Sequence, residues 1–425
     1  MIRRSWTSLC ASAALFGSMA TSAVGMAGEV YNAGGPSERC QQIFADNNDP
    51  LTIQLASMSC CKESSCCAPA GCSEDILAGC GDGCAEGCGD GCGLFGGDSE
   101  SEITFGGWVQ MGYHSGFTPR STTRGDAGAF NNSPHRVNLH QGWLYAEKVA
   151  DGSKGLDWGF RMDAMYGIDA GDTQSFGNPA GSWDNGGKFT KGADYGFAIP
   201  QLYAELASGD WSFKAGHFYT LVGYEVVTAP DNFFYSHALT MFNTEPFTHT
   251  GVLATYAASD DTTIYAGWTA GWDSGFDSVD GGSNFLGGFS TAAGENATFT
   301  YITTAGNFGA RSGGASGYGH SLLLDIALQE DLNLVLQSDM VNIRDTGDDQ
   351  LGINTYLIKS ISEKIGVGVR SEWWKNGGTS QYAVTTGVNI KPMDNLIVRP
   401  EIRYDWDDPN VGSQTTFGVD AIVTF

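Results

Sequence analysis

Over residues 103–425 apolar and polar residues alternate with a period of two, and this repeat limits the fold more than any other feature of the chain. Leu332, Leu334 and Leu336 share one face, with Asn333, Gln337 and Asp339 on the other. Ile365, Val367 and Val369 oppose Gly366, Gly368, Arg370 and Glu372. Leu396, Val398, Ile402 and Tyr404 oppose Arg399, Glu401, Arg403 and Asp405. Leu156, Trp158, Phe160, Met162 and Tyr166 oppose Asp157, Arg161 and Asp163, and Ile264, Ala266, Trp268 and Trp272 oppose Thr263 and Thr269. A helix would scatter these residues around its axis, whereas a strand gathers the charges on one side and keeps the other dry.

About fifteen such segments occur, each near the 9–11 residues that a tilted membrane strand requires. They begin near residues 103, 137, 156, 198, 211, 249, 262, 296, 318, 331, 350, 363, 379, 394 and 414. Bacterial barrels favour even strand numbers, so the expectation is 16 strands, with 14 next. Tight turns at 208–210, 259–261, 329–331, 360–362 and 391–394 alternate with longer connections at 115–135, 169–196, 221–248 and 273–295, and a modest one at 375–378. Short turns at one end and long loops at the other suit an all-β, antiparallel transmembrane β-barrel.

Alternation alone fits a soluble sandwich equally well. Three features favour the membrane. Residues 1–27 read as a signal peptide: Arg3 and Arg4, a short apolar stretch from Leu9 to Ala20, and cleavage after Ala27 or Ala23. Tyr113, Tyr166, Trp272, Trp373, Trp374, Tyr404 and Trp406 stand near strand ends, as interfacial girdles require. The last segment ends on the aromatic Phe425, with Val423 and Phe417 on its face. That ending resembles the carboxy-terminal signature read by the barrel-assembly machinery, with Asp420 where a small residue is usual.

All 11 cysteines lie before residue 93, which divides the chain into a signal peptide (1–27), a cysteine-rich low-complexity periplasmic segment (28–100) and a barrel (101–425). Cys80, Cys84, Cys88 and Cys92 form a Cys-x-[Asp/Glu]-Gly repeat, preceded by Cys60, Cys61, Cys66, Cys67 and Cys72. In an exported chain they can pair as disulfides within the segment or cross-link it to envelope neighbours. Thiolates from successive repeats can also converge on a soft metal, although the spacing is not that of paired zinc knuckles. A low-complexity linker tied by disulfides is the plainest reading.

The formal net charge is −26, with 4 basic and 13 acidic residues over 1–102 and the other 18 basic and 35 acidic over 103–425. Both parts should repel nucleic acid and attract cations. No His-Glu-x-x-His or Gly-x-Ser-x-Gly pattern occurs, so an enzyme is not expected, nor any cofactor.

Residues 214–225 (Lys-Ala-Gly-His-Phe-Tyr-Thr-Leu-Val-Gly-Tyr-Glu), 232–236 (Asn-Phe-Phe-Tyr-Ser) and 245–251 (Glu-Pro-Phe-Thr-His-Thr-Gly) resemble the central motif of the OmpL-like outer-membrane β-barrel porins. Members with cysteine-rich amino-terminal segments are familiar in planctomycete-type bacteria. The resemblance covers about residues 103–425 and implies an outer-membrane channel, without naming a substrate.

The expected function is passive diffusion of ions and small hydrophilic solutes, favouring cations. Porins are often homo-oligomers, and outer-membrane lipid would surround the barrel. In the loop 221–250, Glu225, Asp231 and Glu245 are candidates for a cation-favouring constriction if the loop enters the lumen, and rim residues if it does not. Arg161, Asp163, Glu205, Lys214, Arg370, Glu372, Arg399, Glu401, Arg403 and Asp405 fall on the polar face. They form either a selectivity ladder or cross-strand salt bridges that stabilise a wet lumen. The alternative to a channel is a structural surface barrel anchored or cross-linked through its cysteine-rich segment.

Overall fold

A computed structural model of the protein describes residues 103–116, 130, 133–186, 195–344, 349–408 and 412–425. The expected signal peptide and the cysteine-rich segment, with its disulfide or metal candidates, lie outside these residues.

The strands are β1 (Thr104–His114), β2 (Val137–Lys148), β3 (Asp157–Gly167), β4 (Gly196–Ala198), β5 (Leu202–Ser208), β6 (Trp211–Tyr219), β7 (Thr248–Ser259), β8 (Thr262–Thr269) and β9 (Ser283–Ala292). They continue with β10 (Ala297–Asn307), β11 (Ser316–Gln329), β12 (Leu332–Ile343), β13 (Asp349–Ser362), β14 (Ile365–Asn376), β15 (Thr379–Met393), β16 (Leu396–Asp408) and β17 (Gly412–Thr424). Apart from β4, each pairs antiparallel with the strands before and after it, and β1 closes the ring on β17 with Trp108 opposite Thr424 and His114 opposite Gly418. The three-residue β4 pairs with the end of β3, whose first half pairs with β5, so the ring proper has sixteen strands. Pro200, which has no N–H for a ladder, sits in the break between β4 and β5.

The alternation becomes two faces. Leu144, Trp158, Met162, Phe213, Val252, Ile264, Ile353, Val369, Ile402, Phe417 and Val423 point outward and are exposed, as a lipid-facing band requires. The inward row carries Arg161, Asp163, Gln337, Asp339, Asn354, Arg370, Glu372, Arg399, Glu401, Arg403 and Asp405, all buried. Over β5 to β10 the inward row mixes an apolar cluster of Tyr203, Phe218, Leu253, Tyr265, Leu286 and Ile302 with buried polar residues such as Lys214, Asn284, Ser290, Thr300 and Thr304. No helix among the described residues is long and apolar enough to cross a membrane; β-strands do the crossing.

Three expectations are corrected. The connection expected at 273–295 contains β9. Its alternation is blunted because Leu286 faces inward, fully buried, between outward Phe285 and Phe289, and Gly287 and Gly288 add no signal to either face. Trp374 is no girdle residue: it shares the inward parity of Arg370 and Glu372 on β14 and is buried. Trp272 lies beyond the end of β8, where the chain turns inward, and stacks on Phe308 with ring centroids 4.4 Å apart.

Candidate functional site

The connection between β6 and β7, residues 220–247, enters the barrel. It holds a 3-10 turn (Ala229–Asp231) and a short helix, α1 (Leu239–Asn243), which touches β13 and β14. Irregular backbone inside a barrel leaves N–H and C=O groups without ladder partners. Here the wall supplies them.

Three arginines receive the loop's carbonyls. Arg399 Nη1 donates to Ala229 O at 2.8 Å and Asn232 O at 2.6 Å, while its Nε and Nη2 hold Asp420 at 3.0 and 2.5 Å. Arg370 Nη1 donates to Ser236 O and to Glu225 Oε1, each at 2.6 Å. Arg403 Nη1 donates to His237 O at 3.1 Å and to Glu372 Oε1 at 2.6 Å, and its Nε to Asp405 Oδ1 at 2.8 Å. Carboxylates between them accept the loop's amides. Glu401 Oε2 takes Tyr235 N at 3.0 Å and Ser236 N at 3.1 Å, and Glu372 Oε2 takes Leu239 N at 2.7 Å. Alternating signs on β14 and β16 thus match alternating donors and acceptors of one peptide segment.

The remaining anchors span the barrel. Gln141 of β2 donates to Val227 O at 2.8 Å and accepts from Ala229 N at 3.1 Å. His140 Nε2 and the Tyr235 hydroxyl lie 2.7 Å apart. Asn354 donates to Thr240 Oγ1 at 2.5 Å, Trp374 Nε1 to Thr244 Oγ1 at 2.8 Å, and Gln337 to Glu245 Oε1 at 2.8 Å. Arg311, from the connection after β10, donates to Phe242 O at 2.9 Å. Asp273, from the connection after β8, accepts Phe247 N at 2.7 Å.

Aromatic side chains fix the depth of insertion. Phe233, Phe234 and Tyr235 lie against wall positions that carry no side chain. A Cβ at Gly368 would stand 2.5 Å from the Phe233 ring, and one at Gly418 would stand 2.8 Å from the Tyr235 ring. Gly387 stands in the same relation to Phe234. Inside the loop, Asn232 accepts from Val226 N at 3.0 Å and donates to Val226 O and Thr228 O at 2.6 and 2.9 Å. A cavity of about 20 Å³ lined by Tyr219, Glu225, Met241, Glu245 and Phe247 has room for about one water.

Glu225 is buried, and burial by itself would raise its carboxyl. Arg370 outweighs that, with His237 and the Ala238 amide, and holds it down at about 2. Asp231, alone of the three loop acids, is exposed.

The structure therefore gathers Glu225, Arg370, Glu372, Glu401, Arg399, Arg403, Asp405 and Glu245 around one loop. The other sequence-predicted charges belong to a second network on β2, β3, β5 and β6. There Arg161 bonds Glu147 and, from Nε, Asp163 at 2.8 Å. Lys214 Nζ lies 4.2 Å over the Tyr203 ring, and Ser212 donates to Glu205. Sequence reasoning passed over Gln141, Asn354, Asp273, Arg311 and the wall glycines as partners of the loop. Only the inward parity of Asn354 and of the glycines signalled them.

A closed antiparallel barrel with an apolar outer band and a loop docked across its lumen is the architecture of a porin, a passive channel of outer membranes rather than an enzyme. The chain belongs to the family described as "Putative beta-barrel porin-2, OmpL-like", whose model matches residues 102–425. Solved structures share the fold at low identity. The anion-selective porin from Comamonas acidovorans is 12% identical with a TM-score of 0.51, covering 76% of this chain and 99% of that one. The outer membrane channel DcaP of Acinetobacter baumannii is 10% identical with a TM-score of 0.50, covering 76% and 97%. A triple mutant of the Rhodopseudomonas blastica porin is 13% identical with a TM-score of 0.50, covering 76% and 100%. No curated protein matches the chain.

Proposed function

We propose that this protein is a diffusion channel for ions and small hydrophilic solutes whose loop 220–247 sets the width of the pore. The observation that carries the reading is the clamp of Arg370, Arg399 and Arg403 on the carbonyls of Ser236, Ala229, Asn232 and His237. A loop held by so many charge-assisted bonds keeps a fixed position, and a fixed obstruction selects by size. A cation preference is supported by the surplus of acid. Asp325 is buried on the lumen side with no salt bridge to Arg or Lys among the described residues, and Asp231 is exposed on the loop. Phe425, bonded in both directions to the Gly107 backbone at 3.0 Å, locks the terminal strand into the closed ring, and its exposed ring suits recognition by assembly machinery before closure.

A second reading rests on the depth of the packing: a barrel held shut by its own loop that serves as an envelope anchor. Swelling of liposomes in sugars of increasing size separates the two. The channel reading expects swelling that falls steeply with solute size. Liposomes that carry inserted barrel and admit no solute support the anchor.

A further inference from the structure

Where the loop returns to the wall, one amide joins two carboxyl groups. Gln337 Nε2 on β12 donates to Glu245 Oε1 at 2.8 Å and to Asp339 Oδ2 at 2.6 Å. Glu245 is 2% exposed and Asp339 0%. The loop is shaped to keep the Glu245 carboxylate there: Gly223 sits at φ +96°, and the carboxylate fills the space that a Cβ at Gly223 would need.

No arginine or lysine of the described residues forms an ion pair with either carboxyl group. The charged and titratable groups facing Glu245 are Asp339 from β12, Glu225 from the loop itself, and the Tyr356 hydroxyl from β13. Ser321 of β11 stands directly opposite Asp339 in the ladder. Arg370 of β14 is bound to Glu225 and Glu372 instead. The Ser321 and Thr240 hydroxyls also face the Asp339 carboxyl group, and neither brings a charge. Two carboxylates buried this closely, with only a neutral amide between them, cannot both carry charge without large cost.

We propose that Glu245 and Asp339 share one proton, and that this proton latches the returning end of the loop to β12, so that its loss at alkaline pH frees that end and widens the pore. The proposal rests on the channel reading above. Burial, with the Asp339 carboxylate beside it, holds the Glu245 carboxyl well above the usual carboxylate range. A docked pair keeps a proton that a free loop would release. Docking therefore weakens as pH rises above the ordinary carboxylate range, until the pair itself ionises. The opposite leg of the loop stays held by the arginine clamp, so the release is local.

The test uses the full chain in two measurements. Single-channel conductance is followed from neutral to alkaline pH for the wild type, Glu245→Gln and Asp339→Asn. Infrared difference spectra of the same samples follow the C=O stretch of a protonated carboxyl group. The wild type should show larger steps at alkaline pH, together with loss of one protonated-carboxyl band. Glu245→Gln keeps the uncharged latch, so its steps should stay small and that band should be missing; Asp339→Asn repeats the result if the first variant folds poorly. Steps that ignore pH in the wild type, or an equal rise in both variants, overturn the latch and leave the channel standing. Absence of steps at every pH overturns the channel. The infrared band then decides alone whether the shared proton exists, and its absence at neutral pH overturns the latch as well.

Discussion

Arg370 Nη1 lies 2.6 Å from Glu225 Oε1 inside the barrel, and the same nitrogen holds the Ser236 carbonyl at 2.6 Å. Both groups are buried, with Arg370 at 0% exposure and Glu225 at 8%. One guanidinium thus ties a barrel strand to two distant points of the loop. Removing one member of a buried pair leaves the other uncompensated, at a cost of about 3–5 kcal/mol. Arg370→Ala should lower the melting temperature of the folded barrel and enlarge its conductance. Heat-modified mobility on gels and step size in bilayers read the two effects.

Acid should release the loop through Glu225. Its carboxyl is held at about 2, against an ordinary value of 4.5, because Arg370 outweighs the effect of burial. A depressed carboxyl stabilises docking fully above the ordinary value, and that contribution is lost as pH falls toward 2. The difference corresponds to about 3 kcal/mol. Conductance should rise between pH 4.5 and 2 in the wild type, and Glu225→Gln should flatten that rise.

The aromatic slots predict a steric effect. Gly368→Val would push a side chain into the Phe233 ring, whereas Gly378 has open space around its Cβ position. Gly368→Val should raise both conductance and protease sensitivity of the loop, and Gly378→Ala should leave both unchanged.

Asp231 tests selectivity without disturbing the clamp, because it is exposed while its neighbours are buried. Asp231→Lys should move the reversal potential in a salt gradient toward chloride. The shift should shrink at high salt, where exposed charges are screened.

How far the sequence could be read depended on which face carried the signal. Strands such as β12 and β14 were legible because Leu332, Leu334, Leu336 and Ile365, Val367, Val369 are uniformly apolar outward. β9 was not, because Gly287 and Gly288 break its alternation between outward Phe285 and Phe289. Strand-end aromatics were ambiguous for the same reason: Tyr404 faces out, while Trp374 has the parity of Arg370 and turns in to Thr244. The lumen charges were found by parity, but their role as a clamp was hidden. It depends on backbone groups of residues 229–239, which leave no trace in composition. The slots for Phe233, Phe234 and Tyr235 come from Gly368, Gly387 and Gly418 on three different strands, a match visible only once the register is known.

A porous barrel narrowed by a loop clamped from its own wall has a direct electrical signature. Single-channel recording in a planar bilayer with a potassium chloride gradient tests it most directly, comparing the wild type with Arg370→Ala. The wild type should give stable, small, cation-selective steps and the variant larger ones. Correctly inserted barrels that stay silent in both forms, or a variant whose steps match the wild type, would contradict it.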